Sequence, residues 1–271
     1  MRENRMNPRK NNDQNQNRRP AAPEAEENEG QLEGRNALTE ALKSGRTIDK
    51  VFIAAGEIDR GLQRLAAQAK EAGAVVVPVD RRKLDAMSVT HAHQGVITLA
   101  AAHEYCSIDD ILEKAAQRGE APLLVICDEL SDPHNLGAIL RTAECAGAHG
   151  VIIPKRRSVG LTAVVAKASA GAVEYMKVAR VTNINAAIQE LKEKGVWIFG
   201  TAAEGSVPMY QADLTGPAAI VVGSEGEGMS QLVRKNCDVT VHVPMKGRIS
   251  SLNASAAASI LLYEAVRQRM L

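Results

Sequence analysis

Aromatic side chains are scarce: two Phe, four Tyr and one Trp make up 3% of the chain, against 45% apolar residues overall. The interior must therefore be built from Ala, Val, Ile and Leu. That favours α/β layers over an all-β sandwich, whose strands draw on aromatics. No apolar run approaches the roughly 18 residues a membrane span needs. The opening "MRENRMNPRKNNDQNQNRRP" has no apolar core of the kind a secretory signal carries. Cysteine is sparse too. Cys106, Cys127, Cys145 and Cys237 show no Cys-x-x-Cys spacing, and three sit in apolar runs. They read as reduced core thiols of a cytoplasmic protein, with no metal site.

Net charge is nearly absent at +1, which does not advertise a nucleic-acid binder, so any such binding must rest on local patches. Residues 1–19 carry six bases against two acids, and residues 20–30 carry four glutamates and no base. With Met1 and Met6 the only large apolar side chains, residues 1–30 read as a disordered tail.

What is present is regular. A helix is expected over Asn36–Ser44, a strand over Val51–Ala55 and a helix over Ile58–Ala72. Strand "AVVVPV" (74–79), a short helix from Asp80 and strand "GVITLAAA" (95–102) complete a small α/β layer. Residues 103–121 are polar with one helical stretch and fit a linker. Beyond it, apolar runs at 123–128, 150–154, 196–201, 218–226 and 239–244 alternate with helical segments at 135–147, 162–170, 183–194, 229–236 and 252–269. Buried strands alternating with helices predict a parallel sheet covered on both faces, with ligands in loops at the strands' carboxyl ends. The polar, glycine-rich stretches "SDPHNLGA", "GTAAEGS", "GSEGEGMS" and "PMKGRISSLN" all follow strands and would share one rim.

In "DPHNLGAILRTAECAGAHG", Leu136, Ile139, Leu140 and Ala143 form a core-facing stripe, with Arg141 pointing away and Asn135 at the expected cap. "VVGSEGEGMS" matches neither the dinucleotide Gly-x-Gly-x-x-Gly pattern nor a phosphate loop. Its two acids suit a neutral or cationic ligand. The last helix has a predicted core stripe of Leu252, Ala256, Ile260, Tyr263 and Val266, capped by Ser250 or Ser251. Its entrance holds more hydroxyls and amides than one cap requires.

Together "NLGAILRT" (135–142), "GSEGEG" (223–228) and "PMKGRISSLNAS" (244–255) resemble the three motifs of the SpoU (TrmH) family of RNA ribose 2′-O-methyltransferases. The "EGRNALTEALKSGRTIDKVFIA" stretch is similar to the L30e-like substrate-binding domain of the RlmB branch, which methylates a guanosine of large-subunit ribosomal RNA. The resemblance implies a knotted SPOUT-type parallel-sheet methyltransferase domain over 122–271. Before it would come an L30e-like RNA-binding domain over 31–102 and a linker over 103–121. It also implies S-adenosylmethionine as cofactor, no metal, ribosomal RNA as substrate and a homodimer with sites near the interface. Asn135, Arg141, Glu225, Ser251 and Asn253 align with the catalytic set, and Gly223, Val243 and Leu252 with backbone contacts to the cofactor. Family proposals make the first-motif arginine a general base. A guanidinium gives up its proton reluctantly, so a phosphate clamp and alkoxide stabiliser is the preferred role for Arg141. Substrate choice falls to residues 31–102 and to the basic positions Arg35, Arg46, Arg81–Lys83, Lys155–Arg157, Lys246 and Arg248. A tRNA guanosine, a ribosomal adenosine and a non-catalytic RNA-binding assembly factor are the competing readings.

Overall fold

The computed structural model describes residues 30–56, 59–101, 103–202 and 206–270. The expected tail, the start of the helix at Ile58 and part of the "GTAAEGS" loop lie outside them.

Residues 31–100 form a four-stranded sheet: β1 (Gln31–Glu33), β2 (Ile48–Ala54), β3 (Val75–Val79) and β4 (Val96–Ala100), in the order β1-β4-β2-β3. Only β2 and β3 run parallel; β4 is antiparallel to both of its neighbours. Helices α1 (Arg35–Lys43) and α2 (Arg60–Glu71) bury Leu38, Leu62 and Ala69 against Val51 and Val96. Helix α3 (Arg81–Met87) covers the other face through Leu84.

The second sheet holds β5 (Leu123–Cys127), β6 (Gly150–Pro154), β7 (Lys177–Val181), β8 (Trp197–Thr201), β9 (Val207–Pro208), β10 (Ala218–Val222) and β11 (Val239–His242). They are all parallel, in the order β7-β6-β5-β10-β8-β11-β9. Every residue of β5, β6 and β10 is buried, because alternate side chains meet different helical layers. Val125 and Ile220 face α5 (Pro133–Cys145), α6 (Ala163–Ala168) and α9 (Ala254–Arg269). Leu124 and Val221 face α4 (Ile108–Arg118), α7 (Ile184–Glu193) and α8 (Gln231–Asn236). Each such Leu or Ile, wholly removed from water, stabilises the fold by about 1.5–3 kcal/mol. Residues 103–121, read as a linker, carry α4, which buries Ile108, Ile111 and Ala115 against this sheet. Gly150 is required there, since a Cβ would sit 2.5 Å from Ile111 Cδ1.

Three expectations change. The stripe foreseen on α9 is not its core face: Ala254, Ala258, Leu261, Leu262 and Ala265 are buried instead, while Tyr263 and Leu252 are exposed. The cap of α9 is Asn253, whose Oδ1 accepts from Ser255 N and Ala256 N, not Ser250 or Ser251. Cys145 lies exposed at the end of α5, although it joins the other three as a free thiol.

The two sheets meet at a buried charge pair. Arg180 on β7 donates from Nη1 to Asp49 Oδ1 (2.6 Å) and from Nη2 to the Asp49 carbonyl (2.9 Å). Tyr105 donates its hydroxyl to Asp49 at 2.8 Å and accepts from Leu161 N, and the Arg180 guanidinium lies 5.2 Å from its ring centroid. Gly160 leaves room for the carboxylate, since a Cβ there would sit 2.3 Å from Asp49 Oδ2. Burial pushes the Asp49 carboxyl up, against the pull of Arg180 and Tyr105.

Candidate active site

Three carboxyl-end loops converge where the parallel sheet predicts a rim. β5 and β10 are neighbours, whereas β8 separates β10 from β11. Segment 243–253 must therefore cross the ends of β8 and β10 to deliver α9 onto α5 and β10, which it contacts. That crossing places one residue from each loop in a single cluster.

Asn135 is buried in the first turn of α5 and donates Nδ2 to Glu225 Oε1 at 2.7 Å. Asn253 Nδ2 donates to Asn135 Oδ1 at 2.9 Å and also to Glu225 Oε1. Asn253 Oδ1 meanwhile caps α9, accepting from Ser255 N (2.9 Å) and Ser255 Oγ (2.6 Å). One asparagine thus closes the rim with its amide nitrogen and starts the last helix with its oxygen. Asn135 is not the cap of α5, because Asp132 holds that position, accepting from His134 N at 2.9 Å, and frees the Asn135 amide for Glu225.

The glycine loop closes on itself. Ser224 and Gly228 exchange two backbone hydrogen bonds of 3.0 Å, and Gly228 adopts φ +68. Gly223 is obligatory, since a Cβ would lie 2.0 Å from the Gly228 carbonyl carbon. Asp128 at the end of β5 anchors the far side by accepting from Ser230 N at 2.8 Å. Asp128 and Asp132 were missed as site supports. An acid closing an apolar run and an Asp-Pro at a helix start were the available signals. Gly137 serves packing: a Cβ would lie 2.4 Å from that of Ala168, so α6 buttresses α5 at close range.

Of the eight residues expected here, Asn135, Glu225 and Asn253 are brought into contact. Ser251 and Leu252 lie in the exposed entry to α9, Val243 packs half-buried on the core, and Gly223 is buried at the end of β10. Arg141 is not in the cluster. It sits on the exposed side of α5, without a hydrogen bond or ion pair among the described residues. Six residues beyond Asn135, it is turned about 120° around the helix. Residues 244–252 make no backbone hydrogen bond to the described residues, and Met245, Ile249 and Leu252 are exposed there. Beneath the rim, burial pushes the Cys127 thiol up to about 12 and the Cys237 thiol up to about 11, which leaves both as inert packing groups. Among the described residues no cluster of three His, Cys, Asp or Glu has metal-binding geometry, and no helix is long and apolar enough to cross a membrane.

Comparison with known proteins fits this arrangement. The family model described as the SpoU rRNA methylase family matches residues 122–263, and that for RNA 2′-O ribose methyltransferase substrate binding matches residues 31–106. A TrmH-family tRNA/rRNA methyltransferase of Bacillus subtilis is 48% identical over 236 residues, covering 87% of this chain and 94% of its own. One from Staphylococcus haemolyticus is 46% identical with the same coverage. Among solved structures, the SpoU methyltransferase AviRb from Streptomyces viridochromogenes, in complex with the cofactor AdoMet, superposes with TM-score 0.57 at 25% identity, covering 89% of this chain and 90% of that one. The AdoMet-bound rRNA methyltransferase from Sinorhizobium meliloti gives 0.55 at 26%, covering 88% and 86%. Fold and rim together define an RNA methyltransferase of the SPOUT type. The chain belongs to the SpoU family, with a substrate-binding region ahead of the methylase region.

Proposed function

We propose that this protein transfers a methyl group from S-adenosylmethionine to the ribose 2′-hydroxyl of a guanosine in large-subunit ribosomal RNA. It would act in the cytoplasm as a homodimer, with residues 31–102 gripping the RNA and residues 122–271 carrying the chemistry. The observation that carries this reading is the contact among Asn135, Glu225 and Asn253, drawn from loops 90 and 118 residues apart.

The rim residues fit the cofactor. Segment 244–252 offers open backbone donors and acceptors for an adenine, and Met245 and Leu252 offer apolar walls. The Glu225 carboxylate is opposite in sign to a sulfonium, and Gly223, lacking a Cβ, lets the loop that carries Glu225 fold tightly on itself. Gly223, Val243 and Leu252 would hold it through main chain. When bound, this cofactor supplies an electrophilic methyl on positively charged sulfur.

Asn135 and Asn253, locked to Glu225, form a rigid polar wall that holds the ribose in one orientation, and such fixing supplies several kcal/mol of the barrier. The ribose hydroxyl must lose a proton, which would leave to bulk water at the open rim, directly or relayed through the Ser251 hydroxyl. Arg141 would clamp an RNA phosphate and stabilise the developing alkoxide. Arg141 is exposed on α5, α5 packs on α9, and Tyr263 is exposed on α9, which supports a dimer in which a second copy covers these helices and completes the site. The test is to incubate protein, labelled S-adenosylmethionine and unmodified ribosomal RNA and map the methyl. A 2′-O-methylguanosine in large-subunit RNA is expected. Methylation of tRNA only, of an adenosine or of a base atom, or none at all, would overturn the assignment.

A further inference from the structure

The substrate-binding region contains a cavity of about 530 Å³, lined by Arg35, Ala54, Asp59, Leu62, Arg81, Gln94 and Gly95. That lies within the roughly 300–1,000 Å³ of pockets built for small ligands. It is far in sequence from the methyl-transfer rim, and nothing in the site described above uses it. Its walls are fixed in advance. The loop 88–95 is stapled by the Glu33 carboxylate, which accepts from Ser88 Oγ (2.6 Å), Val89 N (2.6 Å) and Thr90 N (3.1 Å). Buried His93 ties the same loop down, accepting from Gly95 N at 3.0 Å and pairing with Asp85 at 2.9 Å. Held this way, His91 and Gln94 stay at φ +55 and +48, a region that side-chain-bearing residues enter at a cost and that clusters at functional sites.

Arg35 is pinned along two edges. Its Nη2 pairs with Asp59 at 2.6 Å, and its Nε donates to the Gln94 carbonyl at 3.3 Å. A guanidinium fixed at its rim offers its flat faces. Gln94 Oε1 accepts from Arg35 N at 3.3 Å, which leaves the Gln94 amide hydrogens to donate. Arg81 is exposed and makes no hydrogen bond or ion pair among the described residues. Leu62 supplies an apolar floor. RNA-binding proteins stack unpaired bases on aromatic rings or on arginine planes and read their edges by hydrogen bonds. No aromatic residue lines this cavity, so the pinned arginine takes the ring's place.

We propose that this cavity is an anchoring subsite for one unstacked nucleotide of the substrate RNA: its base on the Arg35 plane, a base acceptor on the Gln94 amide, its phosphate on Arg81. The inference rests on RNA being the substrate, and deepens that reading by separating an anchoring nucleotide from the methylated one.

The experiment uses the full chain and an unmodified large-subunit ribosomal RNA transcript. RNA affinity is measured by filter binding, methyl transfer by label incorporation, and integrity by thermal unfolding. The variants are Arg35→Lys, which keeps charge and loses the plane, Arg81→Glu, and Arg118→Glu as a charge-matched control at the exposed end of α4, outside residues 31–102. Loss of one stacked base is worth about tenfold in binding. The expected result is about tenfold weaker RNA binding and a raised KM for Arg35→Lys and Arg81→Glu. The control should stay within threefold and kcat within twofold. Equal loss in Arg118→Glu and Arg81→Glu would show generic charge attraction and overturn the subsite, as would Arg81→Glu binding RNA like the parent. If Arg35→Lys lowers the unfolding temperature, Arg81→Glu against Arg118→Glu decides alone. A parent that methylates RNA with all variants unaffected sinks only the subsite. A parent that neither binds nor methylates RNA sinks the functional reading as well.

Discussion

Replacing Asp49 with Ala should do more damage than a single inter-sheet contact ordinarily could. The Asp49 and Arg180 side chains are only 4% and 6% exposed, so removing the carboxylate strands a guanidinium away from water. The carboxylate's own burial penalty already exceeds what Arg180 and Tyr105 return, since its pKa is raised rather than lowered. A buried pair of this kind is costly to break in half, by about 3–5 kcal/mol. At about 2–4 °C per kcal/mol for a domain of 150–250 residues, Asp49→Ala should unfold at least roughly 6 °C below the parent. The seam should loosen first, so limited proteolysis should cut between residues 101 and 107 before either sheet unfolds. Asp49→Asn combined with Arg180→Met removes both charges, and should recover at least half of the loss in calorimetry. An Asp49→Ala variant that melts within about 2 °C of the parent, or a double variant worse than the single, would refute the reasoning.

Further expectations follow from individual contacts. Although burial works against it, hydrogen bonds from Ser88, Thr90, Val89 and Gln31 hold the Glu33 carboxyl down at about 2. Its stabilising contribution is whole above the ordinary 4.5 and is lost as pH falls from there towards 2. Thermal unfolding against pH should show a fall in that window that Glu33→Gln lacks. Gly223→Ala should weaken S-adenosylmethionine binding in calorimetry and lower the unfolding temperature, because the Cβ would sit 2.0 to 2.3 Å from Gly228 and Met229 backbone and force the loop to shift. Asn253→Asp keeps the helix cap but places a second carboxylate against Glu225. It should retain the unfolding temperature to within about 2 °C and lose methyl transfer, whereas Asn253→Ala should also lose about 0.5–2 kcal/mol of capping.

Much of this was legible because strongly buried strands announce themselves. "LLVIC", "GVIIP" and "AAIVV" admit little else once helical segments separate them. β7 escaped for a reason outside its own sequence. It opens on exposed Lys177 and buries Arg180, and that burial makes sense only beside Asp49, 131 residues away. β9 is two residues ending in a proline at the sheet's edge, below what periodicity can register. Within the site, the motifs located the three loops but not which amide does what. Asn135 looked like a cap until Asp132 was seen to hold that place. The apolar stripe on α9 was real as a pattern, yet it lies on the half-buried to exposed side of the helix, since helical periodicity marks a face without saying what covers it.

The most direct measurement compares Arg141→Ala with the parent, reading methyl transfer to unmodified ribosomal RNA and S-adenosylmethionine affinity on the same preparation. Transfer should vanish while cofactor affinity stays within about twofold, as befits an exposed side chain outside the Asn135–Glu225–Asn253 cluster. Transfer at the parent's rate would contradict its part in the chemistry, and lost cofactor affinity would move it into the cofactor site.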